Sequence, residues 1–428
     1  MSDLLFKNAR VIDPSQRLNS VCDVLVKNGK IAEIGQNIIS DMPTVIDASG
    51  LVLAPGLIDL HTHLRDPGFT DKEDIITGCN AAAAGGVTTL CAMPNTSPVC
   101  DTPEIVKYML EKAKKAKARV LPIAAISKGQ NGDELTDMEA LKEAGACAFS
   151  DDGVPVKTAF LMKKAMEKVH SINMPIFAHC EEKSLAGKGI INEGIVSKEM
   201  GVPGISVSAE DVGTSRELAL LMSAPKGTRL HICHVSTANC VNMISAAKQL
   251  GLSLTAETAP HYFTYNEEKL RTRDADYRMN PPLRTSKDLT SVLYSLVDGT
   301  IDVIATDHAP HTPEEKSDFL SAPNGVVGME TSFSASYTAL VASGIISLSQ
   351  LIKKMSTTPA KILGMDLGNL KIGSPADLIL IDENEEWTVD VNKLHGKSKN
   401  CVFKNCTLKS KIKMTVLGGK IVYNELGE

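Results

Sequence analysis

Eight short apolar segments, many of them separated by helical patterns, most constrain the fold of this chain. The segments are predicted strands at Leu57–His63, Thr88–Met93, Arg119–Ala125, Ala146–Ser150, Ile176–His179, Arg229–Val235, Ser253–Thr258 and Asp302–Thr306. The helical patterns are Thr102–Lys117, Met138–Ala144, Ala209–Leu221 and Ala238–Leu250. Alternation of this kind is typical of a parallel sheet covered by helices. Eight repeats predict an α/β fold with a closed (β/α)8 TIM-like barrel.

The two ends of the chain show a different pattern, with short strands and tight turns. The strand-like pieces are Leu4–Ala9, Asp23–Lys27, Lys30–Ile34, Ala376–Ile381 and Thr415–Tyr423. Asn28-Gly29 and Gly418-Gly419 interrupt apolar runs, and such pairs are hairpin signals. We therefore predict a small composite β-sandwich domain from residues 1–54 and 366–428, with the barrel at residues 55–365.

The composition excludes several classes of protein. A net charge of -6 and an isoelectric point near 6.0 provide no basic footprint for nucleic acid. No apolar stretch approaches the roughly 20 residues that cross a bilayer, and the first residues lack the pattern of a signal peptide. The 10 cysteines include no CxxC pair, which favours reduced thiols. We expect a cytoplasmic protein with a small-molecule substrate.

The run Asp59–Arg65, Asp-Leu-His-Thr-His-Leu-Arg, ends the first predicted barrel strand. Side chains on a strand alternate between faces, so His61 and His63 point the same way. Imidazole is the commonest nitrogen ligand of zinc, so this pair suggests a metal hydrolase, with Arg65 continuing the same face. The alternative is a histidine pair on an exposed edge strand, and the preceding apolar segment at residues 51–58 argues for burial instead.

More residues of ligand type follow other predicted strands. They are Asp152, His179, His234 and Asp307. His231 precedes His234 by three residues, so alternation predicts that only one of the two looks into the barrel. A lone histidine is more often a core or surface residue, but polar side chains at successive strand ends form a joint pattern. That pattern predicts a metal site at the carboxyl edge of the barrel.

Several motifs resemble those of the dihydroorotases in the amidohydrolase superfamily. They are Asp59–Arg65, Pro94-Asn95, Phe149–Gly153, His234–Ser236, Asn280–Arg284, Thr306–His311 and Gly373–Leu378. His-x-His alone would indicate only the superfamily. HTHLRDPG together with NPPLR and DHAPH is specific to the dihydroorotase branch. The likeness is to the class I bacterial type and extends from about residue 3 to the C-terminal strands.

The resemblance implies a metal centre with one or two zinc ions per subunit. One zinc would be held by His61, His63 and Asp307, and the second by His179 and His234. Many relatives bridge the metals with a carbamylated lysine on the fourth strand. Here that strand ends in Asp151-Asp152, which resembles the subgroup with an aspartate bridge. Spacing to His179 favours Asp152, and Asp151 stays open as the alternative.

The resemblance also implies a catalytic acid–base residue and a substrate-binding set. Asp307 would take a proton as general base and return it as general acid. The substrate-binding residues would be His63, Arg65, Asn95, Asn280, His311, Asn324 and Gly325. Within this set, Arg65, Asn95 and His311 would hold a substrate carboxylate, which suits the paired donors of a guanidinium. Relatives usually carry an aromatic residue at the position of Asn324.

The activity implied is the reversible interconversion of N-carbamoyl-L-aspartate and L-dihydroorotate in de novo pyrimidine biosynthesis. One alternative is a hydantoinase- or allantoinase-like enzyme, against which Arg65 and His311 count. Another is a catalytically silent homologue that serves as a structural partner of aspartate carbamoyltransferase, although no ligand is visibly lost. A third is an enzyme whose loops order only with that transcarbamoylase. We also expect a homo-oligomer, with a dimer as the simplest form.

Overall fold

The computed structural model describes residues 3–427. Five strands precede the barrel. These are β1 (Leu4–Asp13), β2 (Leu18–Lys27), β3 (Lys30–Gly35), β4 (Thr44–Asp47) and β5 (Val52–Pro55). The strands that follow are β6 (Leu57–Thr62), β7 (Val87–Ala92), β8 (Arg119–Ala124), β9 (Ala148–Phe149), β10 (Pro175–Ala178), β11 (Ile191–Asn192), β12 (Gly204–Ile205), β13 (Arg229–Ile232), β14 (Leu254–Thr258) and β15 (Val303–Ile304). The last strands are β16 (Leu378–Thr388), β17 (Thr407–Leu417) and β18 (Lys420–Asn424).

The helices lie mainly between the barrel strands. They are α1 (Ile75–Ala84), α2 (Pro103–Ala113), α3 (Met138–Ala144), α4 (Ala159–Ser171), α5 (Lys183–Ala186), α6 (Ile195–Met200), α7 (Val207–Ser223), α8 (Ala238–Gln249), α9 (Pro260–Thr264), α10 (Ser286–Asp298), α11 (Ser332–Ser336), α12 (Leu348–Ile352) and α13 (Thr358–Leu363). Side-chain caps define several starts: Asp74 accepts from two N–H groups of α1, and Thr285 forms a capping box with Asp288 on α10. Left-handed glycines such as Gly145 and Gly299 end α3 and α10.

The predicted barrel is confirmed. Strands β6 to β10 and β13 to β15 form one parallel sheet in the order β6-β7-β8-β9-β10-β13-β14-β15. The ring nearly closes through a bridge between Thr62 and His308. The observed strand β15 is shorter than predicted: the Thr306 N–H donates to the side-chain carboxylate of Asp59 on β6 at 3.1 Å instead of to a backbone carbonyl oxygen. The four predicted helices are present as α2, α3, α7 and α8.

The predicted small domain from both chain ends is also present. Its strands form one hydrogen-bonded sheet in the order β18-β17-β16-β5-β1-β2-β3, with β4 also paired to β1. The first and last strands share one apolar core, which includes Phe6, Val24, Leu380 and Met414, so the sheet folds over on itself. The β2–β3 turn touches the β17–β18 turn so closely that a Cβ at Gly29 would meet a backbone oxygen at 2.6 Å.

The change from the terminal sheet to the barrel falls at Gly56, between β5 and β6. The precise boundaries proposed at residues 54/55 and 365/366 stay a prediction. Inside the barrel, Ile58, Leu60, Phe177 and Val303 belong to a buried cluster that supports the polar groups at the carboxyl edge. Over residues 3–427, no helix has both the length and the apolar character needed to cross a membrane.

Candidate active site

The predicted metal-ligating side chains converge at the carboxyl edge of the barrel. His61 is the second-last residue of β6, and His63, Asp152, His179, His234 and Asp307 follow the ends of β6, β9, β10, β13 and β15. All of them are buried. Asp59 helps to bring the first and last strands together, since it accepts hydrogen bonds from the His61 N–H at 3.2 Å and from the Thr306 hydroxyl at 2.6 Å.

The Asp152 carboxylate lies among four imidazoles. Its Oδ1 is 3.4 Å from His61 Nε2, 3.4 Å from His179 Nδ1 and 3.5 Å from His234 Nε2. Its Oδ2 is 3.5 Å from His63 Nε2. A carboxylate in this position can bridge two cations, each with its own histidines.

Asp151 faces away from this group. Its carboxylate accepts hydrogen bonds from the Ile126 N–H at 2.8 Å, from the Ser127 N–H at 3.1 Å and from the Ser127 hydroxyl at 2.5 Å. These contacts use both oxygens to anchor the loop after β8. Of the two adjacent aspartates, Asp152 is therefore the one placed among the histidines.

Asp307 completes the first set of ligand atoms. Its Oδ1 lies 3.3 Å from His63 Nε2 and 3.4 Å from His61 Nε2. Ligand atoms of His61, His63 and Asp307 all lie within 4.8 Å of one another, and the same holds for His61, Asp152 and His234. His179 Nδ1 lies 2.8 Å from His234 Nε2.

Two atoms of this group fit a bound cation. His61 Nε2 and Asp152 Oδ1 are buried without a hydrogen-bond partner, and both face the same space. Unpaired buried acceptors are costly unless a donor or a metal satisfies them. Imidazole nitrogens and carboxylate oxygens are the ligands of zinc and related divalent ions, so the residues present fit a metal centre.

The electrostatics of the site also favour a cation. Burial lowers the pKa of His61, but Asp152 and Asp307 outweigh this effect and hold it well above its usual range. Burial likewise opposes protonation of His179, whose pKa is raised to about 9 by Asp152 and Glu181. Burial raises the pKa of Asp307, but the histidines lower it to about 2. The carboxylates are therefore ionised, and they create a negative potential where a cation would bind.

Two carboxylates contact histidines from behind. Each binds the ring nitrogen that points away from the space between the predicted metal ligands. Glu257 Oε1 lies 2.7 Å from His61 Nδ1, and Glu181 Oε2 lies 3.2 Å from His179 Nε2. Such contacts fix the tautomer and ring orientation of a ligating histidine. The sequence signal for Glu181 is its position two residues after His179, but that spacing alone assigned it no role. For Glu257, inside the seventh predicted strand, the sequence leaves two possibilities open: a contact with a metal-ligating residue or an ordinary buried carboxylate of the barrel.

Arg65 and His311 lie side by side next to the six predicted metal ligands, which we call the metal group. Arg65 Nε donates to the Pro310 carbonyl oxygen at 3.2 Å, and Arg65 Nη2 lies 3.4 Å from His311 Nε2. His311 Nε2 is also 2.9 Å from the carbonyl oxygen of Asn324. Burial lowers the pKa of Arg65 to about 10, which leaves the guanidinium charged at neutral pH. Burial and the nearby Arg65 lower the pKa of His311 to about 3, so this imidazole is neutral.

The other predicted substrate-binding residues reach the same edge of the barrel. Asn95 Oδ1 lies 2.8 Å from His63 Nδ1. Asn280 Nδ2 donates to Glu181 Oε1 at 3.3 Å. The two amides thus lie on either side of the metal group, each in contact with a ligand or with a residue that orients one.

Gly325 permits the close approach of the loop that carries Asn324. Its φ is 142°, and an added Cβ would lie 2.8 Å from the Ala309 carbonyl oxygen and 2.9 Å from His311 Nε2. Any side chain here would push against His311. The Oδ1 of Asn324 is buried without a partner.

Three of the predicted site residues adopt left-handed backbone conformations. Arg65, His234 and Asp307 have φ values of 60°, 36° and 49°. Residues other than glycine seldom adopt such values, and strain of this kind concentrates at functional sites. At His234 the conformation re-aims a side chain that lies beyond the end of β13. His234 therefore joins His61 and Asp152, while His231 also points into the barrel and contacts Glu257, so both histidines look inward, which contradicts the prediction from strand alternation.

The barrel, the buried His/Asp group and the strand-end positions define a metal-dependent amidohydrolase. A family model described as dihydro-orotase-like matches residues 50–240, and one described as amidohydrolase family matches residues 318–423. The dihydroorotase of Citrifermentans bemidjiense is 48% identical over 424 residues, covering 98% of this chain and 99% of the relative. The dihydroorotase of Acetivibrio thermocellus is 45% identical, covering 99% of each. The chain belongs to the dihydroorotase family.

The solved structures include a similar barrel in an enzyme with a different name. The L-hydantoinase (dihydropyrimidinase) of Arthrobacter aurescens has a TM-score of 0.89 and 26% sequence identity, covering 100% of this chain and 97% of that one. The amidohydrolase fold is thus shared with this relative, whereas sequence identity is far greater with the dihydroorotases.

Proposed function

We propose that this protein is a zinc-dependent cyclic amidohydrolase that interconverts N-carbamoyl-L-aspartate and L-dihydroorotate in de novo pyrimidine biosynthesis. The observation that carries the proposal is the position of Arg65, a partly buried guanidinium next to the converging residues proposed as metal ligands. A cyclic amide bearing a carboxylate fits this combination, because the ring can lie at the metal group while the carboxylate meets Arg65. Near full-length similarity to proteins named dihydroorotase supports the same substrate.

The residues proposed to hold one or two zinc ions are His61, His63, Asp152, His179, His234 and Asp307. Asp152 is the proposed bridge, since its two oxygens face histidines of both sets. Bound zinc would lower the pKa of a water molecule to about 7 and polarise the attacked carbonyl group.

Asp307 is the proposed acid–base residue. Its carboxylate is ionised and lies beside His61 and His63, at the edge where the amide carbon would be attacked. Asp307 takes the proton of the attacking water and returns it to the ring nitrogen as the amide bond breaks. In the reverse direction the same carboxylate removes a proton from the carbamoyl nitrogen, which then closes the ring.

The remaining residues bind and orient the substrate. Arg65, Asn95 and His311 are proposed to hold its carboxylate, and the unused N–H groups of Arg65 supply paired donors. Asn280, Asn324 and Gly325 are proposed to contact the pyrimidine ring.

A hydantoinase-like activity is the second candidate, because the L-hydantoinase of Arthrobacter aurescens shares the fold over the whole chain. A hydantoin carries no equivalent carboxylate, so it would leave the Arg65 charge unpaired in a partly buried site. Against a silent structural homologue stands the presence of all six proposed ligands, whose side chains lie close together. The proposal also includes a cytoplasmic homodimer, with aspartate carbamoyltransferase as a candidate partner.

The experiment that tests the proposal measures ring opening of L-dihydroorotate by the purified protein, with zinc quantified on the same sample. We expect turnover that is lost on chelation and restored by zinc, with hydantoin and allantoin opened far more slowly. Turnover that appears only after adding aspartate carbamoyltransferase would favour the partner-dependent form. Bound zinc without turnover of any of the three rings would contradict the proposed activity. Sedimentation of the protein alone and with the transcarbamoylase tests the dimer and the partner.

A further inference from the structure

Glu257 is a fully buried carboxylate on β14 that contacts one metal-ligating histidine and one histidine outside the metal group. Its Oε1 lies 2.7 Å from His61 Nδ1, and its Oε2 lies 3.1 Å from His231 Nε2. Among residues 3–427, no lysine or arginine forms an ion pair with Glu257. The ionisable side chains within ion-pair distance of it are these two imidazoles. The negative charge is therefore directed at His61 and His231 without a competing cation.

When His61 binds a cation through Nε2 and is therefore neutral, one arrangement of protons satisfies the polar atoms from His61 Nδ1 through Glu257 and His231 to Thr255. An ionised carboxylate only accepts, so His61 donates from Nδ1 and His231 donates from Nε2. His231 Nδ1 then has a lone pair, and the Thr255 hydroxyl lies 2.8 Å away to donate to it. In this arrangement His61 Nε2 carries the lone pair that faces Asp152 and Asp307.

The chain of contacts lies on the side of the metal group away from the proposed substrate. Arg65 and His311 lie on loops beyond the carboxyl ends of the strands, whereas His231 and Thr255 lie within β13 and β14. His231 and Thr255 also line a cavity of about 340 Å³ together with Arg229, the first residue of β13. Glu257 and His231 therefore cannot touch the substrate, and any effect on catalysis must pass through His61.

Glu257 differs from the other groups that contact the ligating histidines. Asn95, next to His63, is uncharged, and Glu181, next to His179, shares its charge with Lys183. Removing Glu257 would leave the His61 Nδ1–H buried without an acceptor, and it would make the wrong tautomer, with hydrogen on Nε2, more accessible.

We propose that Glu257 and His231 are positioning residues that set the metal affinity of the site by fixing the tautomer and orientation of His61. Glu257 holds the His61 ring through Nδ1 and adds negative charge behind the ligand. His231 holds the second oxygen of Glu257 and keeps the carboxylate in place. The inference rests on the metal centre of the proposed function. Loss of such a contact typically weakens metal binding by about 10- to 100-fold.

Glu257→Gln is the first variant for the test, because it removes the charge and keeps the shape. Its amide oxygen can still accept from His61, while its NH2 faces His231, which can switch tautomer and donate to the Thr255 hydroxyl. The full-length protein is stripped of metal, and its zinc affinity is measured by competition with a chromophoric chelator, without substrate. We expect the zinc Kd to rise about 10- to 100-fold. The visible spectrum of the cobalt-substituted protein should also change, because the field of one ligand has changed.

Two variants of His231 give an independent test, should Glu257→Gln fail to fold. His231→Phe keeps a ring but leaves the Glu257 oxygen without a donor, so zinc affinity should fall. His231→Gln supplies an amide donor and should restore part of that loss, which a purely structural role for the ring would not predict. Glu217→Gln is the matched control, since Glu217 is another fully buried glutamate but pairs with Arg216 on α7.

Unchanged zinc affinity in a folded Glu257→Gln protein would overturn the inference, as would equal affinity losses in Glu217→Gln. A wild-type protein that binds no zinc would overturn it as well. Failure of the proposed function has a different signature, in which the wild-type protein binds zinc tightly but opens no dihydroorotate. In that case a lower zinc affinity in Glu257→Gln would still support the positioning role.

Discussion

Replacing Arg65 with methionine should change substrate preference more than it changes the chemistry. Methionine keeps much of the side-chain length and removes the charged fork. Both residues carry a Cβ, so the left-handed φ of 60° at this position imposes a similar backbone cost on each. Differences between the two proteins then report mainly on the guanidinium.

The magnitude follows from the donors that the guanidinium has left. Its Nε is used by the Pro310 carbonyl and one Nη2–H points at His311, which leaves three N–H groups for a ligand. Two charge-assisted hydrogen bonds to a carboxylate contribute about 1.5–3 kcal/mol each. Arg65 is only partly buried, so water can replace part of this contribution, and we expect a loss in the lower part of the summed range, about 3–4 kcal/mol, or about 10²- to 10³-fold in kcat/KM.

The assay compares L-dihydroorotate with dihydrouracil, which has the same ring without the carboxylate. Arg65→Met should lose about 10²- to 10³-fold on L-dihydroorotate, mostly in KM, and should change little on dihydrouracil. If dihydrouracil turns over too slowly, its inhibition constant replaces kcat/KM. Arg65→Lys, which keeps the charge but not the fork, should fall between the two proteins. Equal losses on both compounds would refute the assignment of Arg65 to the substrate carboxylate.

Substitutions at four further acidic residues test their separate roles. Asp307→Asn should lower kcat by about 10²- to 10⁴-fold with a smaller change in KM, and an unchanged kcat would exclude Asp307 as the acid–base residue. Asp152→Asn should lower the number of zinc ions measured by native mass spectrometry, whereas Asp151→Asn should lower thermal stability and leave that number unchanged. Asp74→Ala should destabilise the protein by about 1 kcal/mol in chemical unfolding at neutral pH, while Asp74→Asn should keep most of the cap. Burial opposes ionisation of Asp74, but Lys397 and the helix N–H groups hold its pKa below its usual range. Its contribution is therefore present above a pH of about 3.9 and lost as pH falls through the lower folded-state pKa; a wild-type advantage over Asp74→Ala that is undiminished in acid would contradict this reading.

The barrel and the convergence of most of the proposed ligands could be predicted because they depend on local patterns. Alternating strands and helices fix the topology, and a parallel barrel brings the carboxyl ends of all its strands to one edge. His61 and Asp307 are far apart in the sequence, yet each follows an apolar strand, so their meeting could be inferred without a contact map.

What could not be predicted depends on the course of the backbone beyond the strand ends. Spacing to His179 favours Asp152 over the adjacent Asp151 without excluding it, and the hydrogen bonds of Asp151 to the loop after β8 are what place the two carboxylates apart. The alternation argument for His231 and His234 failed because β13 ends at Ile232 and His234 has a φ of 36°. The contact of Glu257 with both His61 and His231 joins three different strands, and no single-strand pattern encodes it.

The left-handed backbone at Arg65, His234 and Asp307 has an evolutionary consequence. Glycine adopts such a conformation at little steric cost. Replacing any of the three residues with glycine could therefore raise the stability of the folded protein. Only selection for activity opposes that drift. A lineage that kept this barrel purely as scaffolding should therefore accumulate glycine or asparagine at these positions before its core changes. Glycine at these three positions in a genome sequence would thus distinguish inactive homologues from active enzymes.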